Sequence, residues 1–566
     1  MKNISLSINQ FMKSKWLLIT ILVIAGFLRL WRVGSNPPGL TPDEAALGYN
    51  AYSILKTGRD EFGTKLPIIF KSFGDYKPGL YVYLDTPFVA AMGLNEFSTR
   101  LPSGIAGILS VYLIYLICCK LFNKKIGNFA LAVAALNPWL IYFSRGAWEA
   151  NVSLTLTLVG IYFFIRSLTK PKYLIFSAIA FTLTLITYQG AKLSTLIVLL
   201  ILLAVYFKDF LKFFISAKKE LAISLVLGLL IIYPIILTFF NGQTFRLTIF
   251  SIFSYRRPIS EVQSLLSEGN EKIGDVNYYL FHSEGLNYVR AILGRYFNNF
   301  SGRFLFFEGD WANPISTAPY QGVLLLSYLL FLPLGLLAIF KNKLQKGHYL
   351  FILWLTLAPF SVALSRDDIN AVRDLNLAVP LIVAVSFGLV EAFEWIQKRK
   401  NRFIYYLFVF GICGFSLVYF LDAYFVHLPA HNSNYWRYGY REAVRIVVPL
   451  ETKYKNIVFE QSFNQPYIYL LFYEAMDNSK NFNVQKYQKQ EKLVNSQYIG
   501  DVGFENEIDN IQFKNIDWQV LKNQPGTLVI GSPVSLPPDF LNDSSLVKEI
   551  KYLNGRDVAF DIVEMK

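Results

Sequence analysis

A series of long apolar segments constrains this chain more than any other feature of its sequence. A membrane-spanning helix needs about 20 mostly apolar residues, and such segments recur up to about residue 424. Only 17% of the 566 residues are charged and 54% are hydrophobic, whereas soluble proteins are about 25% charged. The sequence therefore predicts a polytopic α-helical membrane protein with about 11 transmembrane helices. The predicted spans are 16–34, 100–121, 126–143, 150–167, 173–188, 192–208, 220–240, 321–341, 348–365, 374–394 and 403–423.

Lysine clusters in alternate loops predict which side of the membrane each loop faces. Loops rich in Lys and Arg stay in the cytoplasm, so the N-terminus is predicted to be cytoplasmic in a multi-pass plasma-membrane protein. We attribute the net charge of +14 to these loops rather than to nucleic-acid binding. The clusters lie at 124–125, 170–172, 208–219, 341–346 and 398–402. The predicted external segments are the first loop 35–99, the corners 144–149, 188–191 and 366–373, the long loop 241–320 and everything after about 424.

One apolar stretch inside the first external loop does not fit a span. Residues 77–94 contain Pro78, Asp85 and Pro87, and a span here would place all later lysine clusters outside. We therefore predict an interfacial segment on the outer membrane surface.

The composition becomes that of a soluble protein after about residue 424. We divide the chain into a transmembrane domain, 1–424, and a small extracytoplasmic α/β domain, 425–566. Strands are predicted at 456–460 and 526–531, and a short helix at 466–473. The domain contains no recognisable catalytic signature.

Several kinds of site are not supported by the sequence. A nucleotide-binding phosphate loop and a dinucleotide-binding glycine motif are both absent. The three cysteines all lie in apolar segments, which argues against a disulfide framework or a cysteine-ligated metal. His427 and His431 have helical ligand spacing, but no third ligand lies nearby. We therefore expect neither a metal nor a cofactor.

Thr41-Pro42-Asp43-Glu44 is the most informative polar stretch. It is typical of a helix start, with Thr41 as N-cap, Pro42 in the first turn and Glu44 completing a capping box. The helix is predicted to run to about Gly58. A purely structural role explains Thr41 and Glu44 but gives Asp43 no task. The positive helix end would favour an ionised Asp43, which could then accept a proton from a hydroxyl group.

Other charged residues fall on the same predicted face of the membrane. Lys77 closes the first loop and is either a snorkelling lysine or a cation for a phosphate. Arg145 and Glu149 are four residues apart, so they are either a helical ion pair or functional charges at the mouth of the bundle. Each external charge alone is explained by solvation, and their convergence on one face is what indicates a site. Further members of this set are Tyr188, Gln189, Arg295 and the corner 366–373, which ends in Arg373.

The order of these motifs resembles a known family. The chain has Arg29-Leu-Trp-Arg32, Asn36-Pro-Pro-Gly-Leu40, Asp43-Glu44-Ala45, Lys77-Pro78, and Asn95-Glu-Phe97 followed by Arg100-Leu-Pro-Ser103. This order is similar to that of the protein O-mannosyltransferase and lipid A aminoarabinose transferase group, which are GT-C membrane glycosyltransferases. The resemblance is strongest over residues 25–200, continues through 304–310 to about 395, and does not cover the C-terminal domain.

The resemblance implies roles for particular residues. Asp43 matches the catalytic acid of the family, and Lys77 matches its phosphate-facing lysine. Arg145 and Glu149 match an Arg and a second acid, although that acid is commonly Asp in relatives. Lys77-Pro78-Gly79 departs from the Lys-Pro-Pro of many relatives, and Tyr188-Gln189 departs from the Tyr-His of some. The predicted catalytic residues are Asp43, Glu44 and Glu149, with Asp43 preferred over Glu44; the predicted phosphate-binding residues are Lys77, Arg145, Arg295 and Arg373; and the predicted pocket residues are Tyr49, Tyr76, Tyr188 and Gln189.

The resemblance and the external charges together predict an inverting glycosyltransferase. Its donor would be a polyprenyl-phosphate-linked sugar, and its acceptor a protein, a lipid or an envelope glycan. Two alternatives remain open, a non-catalytic flippase or transporter of lipid-linked sugars and a GT-C-like glycan ligase. A transporter would place polar residues near mid-bilayer, whereas the charges of these spans lie at their outer ends.

Overall fold

The structure is a computed structural model that describes residues 15–73, 75–240, 251–254, 256–341, 343–461, 465–488 and 506–566. The start of the predicted long external loop, 241–250, lies outside these ranges, as do the first fourteen residues.

A helix occupies every segment that was predicted as a span. Among the described residues, five helices are long and apolar enough to cross a membrane, at 96–121, 149–167, 218–237, 375–397 and 402–431. The helical membrane architecture is therefore confirmed, while the number of spans stays a prediction. The helices before residue 240 are α1 (Lys15–Leu30), α2 (Pro42–Thr57), α3 (Leu80–Met92), α4 (Glu96–Leu121), α5 (Lys124–Leu136), α6 (Pro138–Phe143), α7 (Glu149–Ser167), α8 (Tyr173–Leu185), α9 (Ala191–Ser216) and α10 (Lys218–Phe240).

Some predicted spans are broken for local reasons. The segment predicted at 126–143 divides at Asn137, which ends α5 and accepts a hydrogen bond from Leu140 N as the N-cap of α6. Pro138 then occupies the first turn of α6, where its missing N–H is tolerated. The segment predicted at 348–365 likewise divides before Pro359. The following helices are α11 (Ile259–Glu268), α12 (Glu284–Asn298), α13 (Tyr328–Lys341), α14 (Lys346–Leu357), α15 (Phe360–Ala363), α16 (Ala378–Gln397), α17 (Arg402–Asp422), α18 (Leu428–His431) and α19 (Tyr440–Val447).

The first external loop consists of α2, a β-hairpin and α3. Strands β1 (Ile69–Ser72) and β2 (Asp75–Pro78) pair antiparallel, with Phe70 opposite Lys77. The hairpin brings Lys77 back towards the start of α2. Helix α3 contains Pro87 and buries Asp85, and it is the segment predicted to be interfacial.

The C-terminal region forms a six-stranded mixed sheet, as the α/β prediction required. Strands β5, β3 and β6 run parallel in its centre, and antiparallel strands flank them. The predicted strands at 456–460 and 526–531 and the helix at 466–473 are all present. The elements are β3 (Ile457–Glu460), α20 (Pro466–Asp477), α21 (Val484–Gln488), β4 (Asn506–Ile508), β5 (Ile511–Lys514), α22 (Trp518–Leu521), β6 (Leu528–Gly531), β7 (Ser544–Lys551) and β8 (Val558–Met565), in the order β4-β5-β3-β6-β8-β7.

The C-terminal domain packs directly on the first external loop. Its helix α20 lies against α2, and Tyr469 OH donates to Leu40 O at 3.0 Å. Gln488 Nε2 donates to Ser53 Oγ at 2.9 Å and to Thr57 Oγ1 at 2.8 Å. Buried residues of both parts form one hydrophobic cluster. The parts of the chain before and after residue 424 therefore share one hydrophobic cluster, and the domain boundary there stays a prediction.

Two glycines allow α13 and α16 to approach closely. A Cβ on Gly335 would lie 1.7 Å from Ala384 O, and a Cβ on Gly388 would lie 1.9 Å from Phe331 O. Small residues at such contacts let helix backbones pack closely inside a membrane.

Replacing Gly388 by a large residue should therefore destabilise the helix bundle. Gly388→Leu is expected to cost about 3 kcal/mol, because the two helix backbones must separate. Gly411→Leu is the matched control, since nothing lies within 4 Å of a Cβ at that position of α17. Thermal denaturation of the detergent-solubilised proteins measures the difference, and equal stability of the two variants would contradict this packing.

Candidate active site

The start of α2 has the predicted capping geometry. Glu44 N donates to Thr41 Oγ1 at 3.1 Å, and Thr41 N donates to Glu44 Oε2 at 2.9 Å. Pro42 is the first helical residue, and Gly58 ends the helix in the left-handed conformation at φ 68°. This local structure fixes the position of Asp43 in the first turn.

Glu44 is engaged far beyond the cap. Its side chain is 2% exposed and forms an ion pair with the fully buried Arg100, whose Nε lies 2.9 Å from Oε1. Oε1 also accepts from Ala147 N at 2.8 Å. The two carboxylate oxygens thus receive four hydrogen bonds from Thr41, Ala147 and Arg100. This arrangement gives Glu44 a structural role at the start of α2, and its catalytic role stays a prediction.

Asp43 points away from this buried pair and towards the hairpin. Lys77 Nζ forms an ion pair with Asp43 Oδ1, although the two residues are 34 positions apart. The Asp43 side chain is 60% exposed, whereas that of Lys77 is 13% exposed. The predicted base and the predicted phosphate-facing cation therefore meet in the structure, with the acid on the solvent side.

The glycine after Pro78 has a packing reason. A Cβ on Gly79 would lie 2.1 Å from Phe70 Cδ2 and 3.0 Å from Ile68 O. A second proline, as in the Lys-Pro-Pro pattern, would collide with the Phe70 ring. Gly79, which stands where the pattern has its second proline, therefore leaves room for the Phe70 ring across the hairpin.

A small cavity joins three of the predicted site residues. Asp43, Lys77 and Glu149 line it, and its volume is about 20 Å³. That is room for about one water molecule, so a sugar must occupy the open space outside it. Pro78 of the Lys77-Pro78 motif also lines it, and the sequence did not single out the remaining lining residues, which are Ala46, Leu47, Asn50, Phe70, Ser72 and Val82.

Arg145 does not line this cavity. It precedes α7, whose first residue is Glu149, so the two are not the helical ion pair considered from their spacing. The Arg145 side chain is fully buried, and its Nη atoms donate to Leu28 O and Asn36 O, each at 2.9 Å. Its Nε donates to Tyr424 OH at 3.1 Å. In the structure Arg145 ties α1 and the following turn to residue 424.

Arg295 and Arg373 lie together, in a second group of charges. Arg295 Nη2 donates to Arg366 O at 3.2 Å and lies 3.4 Å from Asp368 Oδ1. Arg373 Nη1 lies 2.8 Å from Asp367 Oδ2. Neither arginine lines the cavity at Asp43.

The four predicted pocket residues divide into two groups. Gln189 Nε2 donates to Tyr76 O at 2.9 Å, so the corner with Tyr188 and Gln189 is joined to the hairpin. Tyr49 is fully buried against Phe482 of the C-terminal domain, at a ring-centroid distance of 6.2 Å. Tyr49 is therefore part of the domain contact rather than of the cavity wall.

Glu61 is a buried acid that sequence analysis missed. Asn50 Nδ2 donates to Glu61 Oε1 at 3.0 Å, and Glu61 N donates to Asn50 Oδ1 at 2.9 Å. Burial and, to a smaller degree, the charge of Asp60 raise the pKa of Glu61 to about 7 against the opposing effects of hydrogen bonds from Asn50 and Tyr467 and the charge of Lys77. Only the fold could reveal this residue, because an acid in a loop carries no signal.

An apolar groove of about 650 Å³ lies between α8, α9 and α10. Leu, Phe and Ile supply 13 of its 20 lining residues, and Lys192 lies at the same end of the helices as Leu185 and Ile232. Lys192 is the second residue of α9 and follows Gln189 by three positions, so this end of the groove adjoins the corner that is bonded to the hairpin.

Within the described part of the chain, no group of three or more His, Cys, Asp or Glu side chains is arranged to hold a metal ion.

Residues 77–237 match the family model described as dolichyl-phosphate-mannose-protein mannosyltransferase. The match begins at Lys77 and includes Arg145, Glu149, Tyr188 and Gln189, whereas Asp43 precedes it. A search of curated proteins finds no significant match.

The fold is similar to that of ArnT from Cupriavidus metallidurans. The apo structure of that protein is 12% identical with a TM-score of 0.53, and covers 96% of this chain and 97% of that chain. Its structure bound to undecaprenyl phosphate gives a TM-score of 0.55 with the same identity and coverage. The predicted resemblance to GT-C membrane glycosyltransferases is thereby confirmed, and the similarity in fold extends to the C-terminal domain, which the sequence resemblance did not cover.

Removing the Glu44 carboxylate should destabilise the protein. Glu44→Ala leaves Arg100 buried without its counter-charge, which is expected to cost about 3–5 kcal/mol. Asp477→Ala is the control, because its partner Arg445 is 50% exposed and such pairs contribute less than about 1 kcal/mol. Thermal denaturation in detergent measures both, and a Glu44→Ala protein as stable as the control would refute the structural role.

Proposed function

We propose that this chain is an inverting membrane glycosyltransferase that transfers a sugar from a polyprenyl-phosphate donor to an acceptor hydroxyl at the extracytoplasmic face. The meeting of Asp43 with Lys77 beside one cavity carries this proposal. An acid and a cation held together in the first external loop are the two groups that such a transfer requires.

Asp43 is assigned the role of general base. The acceptor oxygen forms a bond to the anomeric carbon while the bond from that carbon to the phosphate oxygen breaks. The proton of the acceptor passes to the Asp43 carboxylate. Attack opposite the leaving group inverts the anomeric configuration. The exposure of Asp43 supports this role, because an acceptor in solvent can reach it.

Lys77 is assigned the role of stabilising the leaving phosphate. The donor phosphate is a monoanionic diester, and its release as a monoester adds negative charge at the leaving oxygen. A cation placed where charge develops lowers the barrier. Lys77 forms an ion pair with Asp43. A bound phosphate would compete for Lys77 and so weaken its hold on the base.

The apolar groove between α8, α9 and α10 is assigned to the isoprenoid chain of the donor. Its volume of about 650 Å³ and its apolar walls suit a hydrocarbon chain. Lys192 lies at the end nearest the hairpin and supplies a second cation for the phosphate. The same fold in ArnT, in a structure with undecaprenyl phosphate bound, supports a polyprenyl phosphate as the ligand class.

The base assignment predicts the effect of Asp43→Asn. This isosteric change should reduce the transfer rate by about 10²–10⁴-fold, because the amide cannot take the acceptor proton. Stability should change little, since Asp43 is largely exposed. The assay follows label from a polyprenyl-phosphate sugar into the acceptor fraction of membranes.

Asp209→Asn is the matched control, because Asp209 forms an ion pair with Lys346 in loops predicted to be cytoplasmic. Near-normal turnover by Asp43→Asn would reject the base assignment and favour the alternative of a non-catalytic flippase.

The phosphate assignment makes a separate prediction for Lys77. Lys77→Ala should raise the KM for the donor more than Arg295→Ala or Arg373→Ala does, and Lys77→Arg should retain part of the affinity because it keeps the charge. Lys346→Ala serves as the control. Donor titrations with each variant measure the effect. An unchanged KM in Lys77→Ala together with a raised KM in Arg295→Ala or Arg373→Ala would move the phosphate site to the second group of charges.

A further inference from the structure

Tyr467 of α20, in the C-terminal domain, contacts two residues that lie beside the candidate active site. Its hydroxyl donates to Glu61 Oε2 over 3.4 Å, and its ring meets that of Phe73 edge-on at a centroid distance of 6.2 Å. Glu61 and Phe73 belong to the first external loop and lie on opposite sides of strand β1 in sequence. A single side chain of the distant domain thus touches two separate parts of this loop.

The contact between the rings of Tyr467 and Phe73 connects Tyr467 with Lys77. Phe73 forms the turn of the hairpin, is 3% exposed, and places its ring 5.0 Å from Lys77 Nζ. The backbone of Phe73 has φ 51°, a conformation that is unfavourable for a bulky side chain and persists only where the surroundings hold it. Packing against Tyr467 is such a support. The position of the Lys77 ammonium group therefore depends on the ring of Tyr467.

The hydrogen bond from the Tyr467 hydroxyl to Glu61 connects Tyr467 with the cavity wall. Glu61 is held by two hydrogen bonds with Asn50, and Asn50 lines the cavity together with Asp43 and Lys77. Asn50 also donates to Ala46 O at 2.9 Å, so its amide has a fixed orientation. The hydroxyl of Tyr467 supports this wall from behind.

We propose that Tyr467 is a positioning residue of the active site, which holds Lys77 through Phe73 and Asn50 through Glu61. The C-terminal domain is then a part of the donor-phosphate site rather than an appended module. This inference rests on the proposed function, since it assumes that Lys77 faces the phosphate of the donor.

Two substitutions separate the contributions of the ring and the hydroxyl. Tyr467→Ala removes the support beneath Phe73, and a displaced Lys77 should raise the donor KM by about tenfold, because small shifts of a binding group weaken it strongly. Tyr467→Phe keeps the ring and should leave the donor KM within about twofold of wild type. Tyr52→Phe is the control. It removes a tyrosine hydroxyl from the same domain contact, where Tyr52 OH donates to Ser479 O at 3.3 Å.

A double-variant test distinguishes positioning from general damage. If Tyr467 acts through Lys77, Tyr467→Ala should add nothing to the donor KM of a Lys77→Ala protein. Binding of undecaprenyl phosphate to the full-length protein should show the same lack of additivity. Independent, multiplying effects would overturn the proposal, and so would a normal KM in Tyr467→Ala.

The pH profile of activity tests the role of the Tyr467 hydroxyl. This test uses Tyr467→Phe and remains possible even if Tyr467→Ala does not fold. The charged and titratable groups that face Glu61 are Asp60, Lys77, Tyr49 and Tyr467. The Tyr467 hydrogen bond lowers the pKa of Glu61, so Tyr467→Phe should move the acidic limb of the activity profile to higher pH. Glu61→Gln should remove the contribution of Glu61 to that limb, and an unshifted limb in Tyr467→Phe would overturn the role of the hydroxyl.

Failure of this inference is distinguishable from failure of the proposed function. If Asp43→Asn and Lys77→Ala retain normal transfer and normal donor binding, the roles proposed for Asp43 and Lys77 are wrong, and if the unchanged protein transfers no sugar from a polyprenyl-phosphate donor, the proposed function is wrong. If both variants are impaired but Tyr467→Ala and Tyr467→Phe behave like Tyr52→Phe, only the role of Tyr467 is wrong.

Discussion

The buried ion pair between Glu44 and Arg100 fixes the geometry on which the candidate site depends. Two buried charges are costly unless hydrogen bonds satisfy them fully. Besides contacting Glu44, Arg100 donates to the carbonyl groups of Val33, Pro37 and Gly39. Glu44 in turn accepts from Ala147 N, next to the start of α7. The pair thus joins α2, α4, the turn after α1 and the corner before Glu149, and it sets where Asp43 can lie.

Neighbouring positions on one helix account for the different roles of Asp43 and Glu44. Successive residues of an α-helix point about 100° apart, so one side chain enters the interior while the next faces the hairpin. Glu44 takes part in the helix cap and in the ion pair with Arg100, whereas Asp43 forms an ion pair with Lys77. The cation comes from a separate hairpin, whose turn rests on the C-terminal domain.

Local features of this architecture could be predicted from the sequence, and long-range ones could not. The capping box of α2, the helices in the apolar segments and the strands near 457 and 528 follow from short patterns. The contact of Glu44 with Arg100 joins residues 56 positions apart and has no local signal. Arg145 was predicted to belong to the site because it lies in a predicted external corner. In the structure its side chain is buried and donates to two backbone carbonyl groups. The domain boundary was inferred from composition, which carries no information on the packing of the C-terminal domain on α2.

The unequal exposure of Asp43 and Lys77 gives the proposed reaction a direction. The shielded lysine lies on the hairpin, which is bonded to the corner at Gln189, and Lys192 of the apolar groove follows Gln189 by three residues. The exposed aspartate is reached from solvent. A lipid-linked donor and a water-borne acceptor would then approach from opposite sides of the same ion pair. That arrangement suits a single displacement with inversion, because the attacking and leaving oxygens lie on opposite sides of the anomeric carbon.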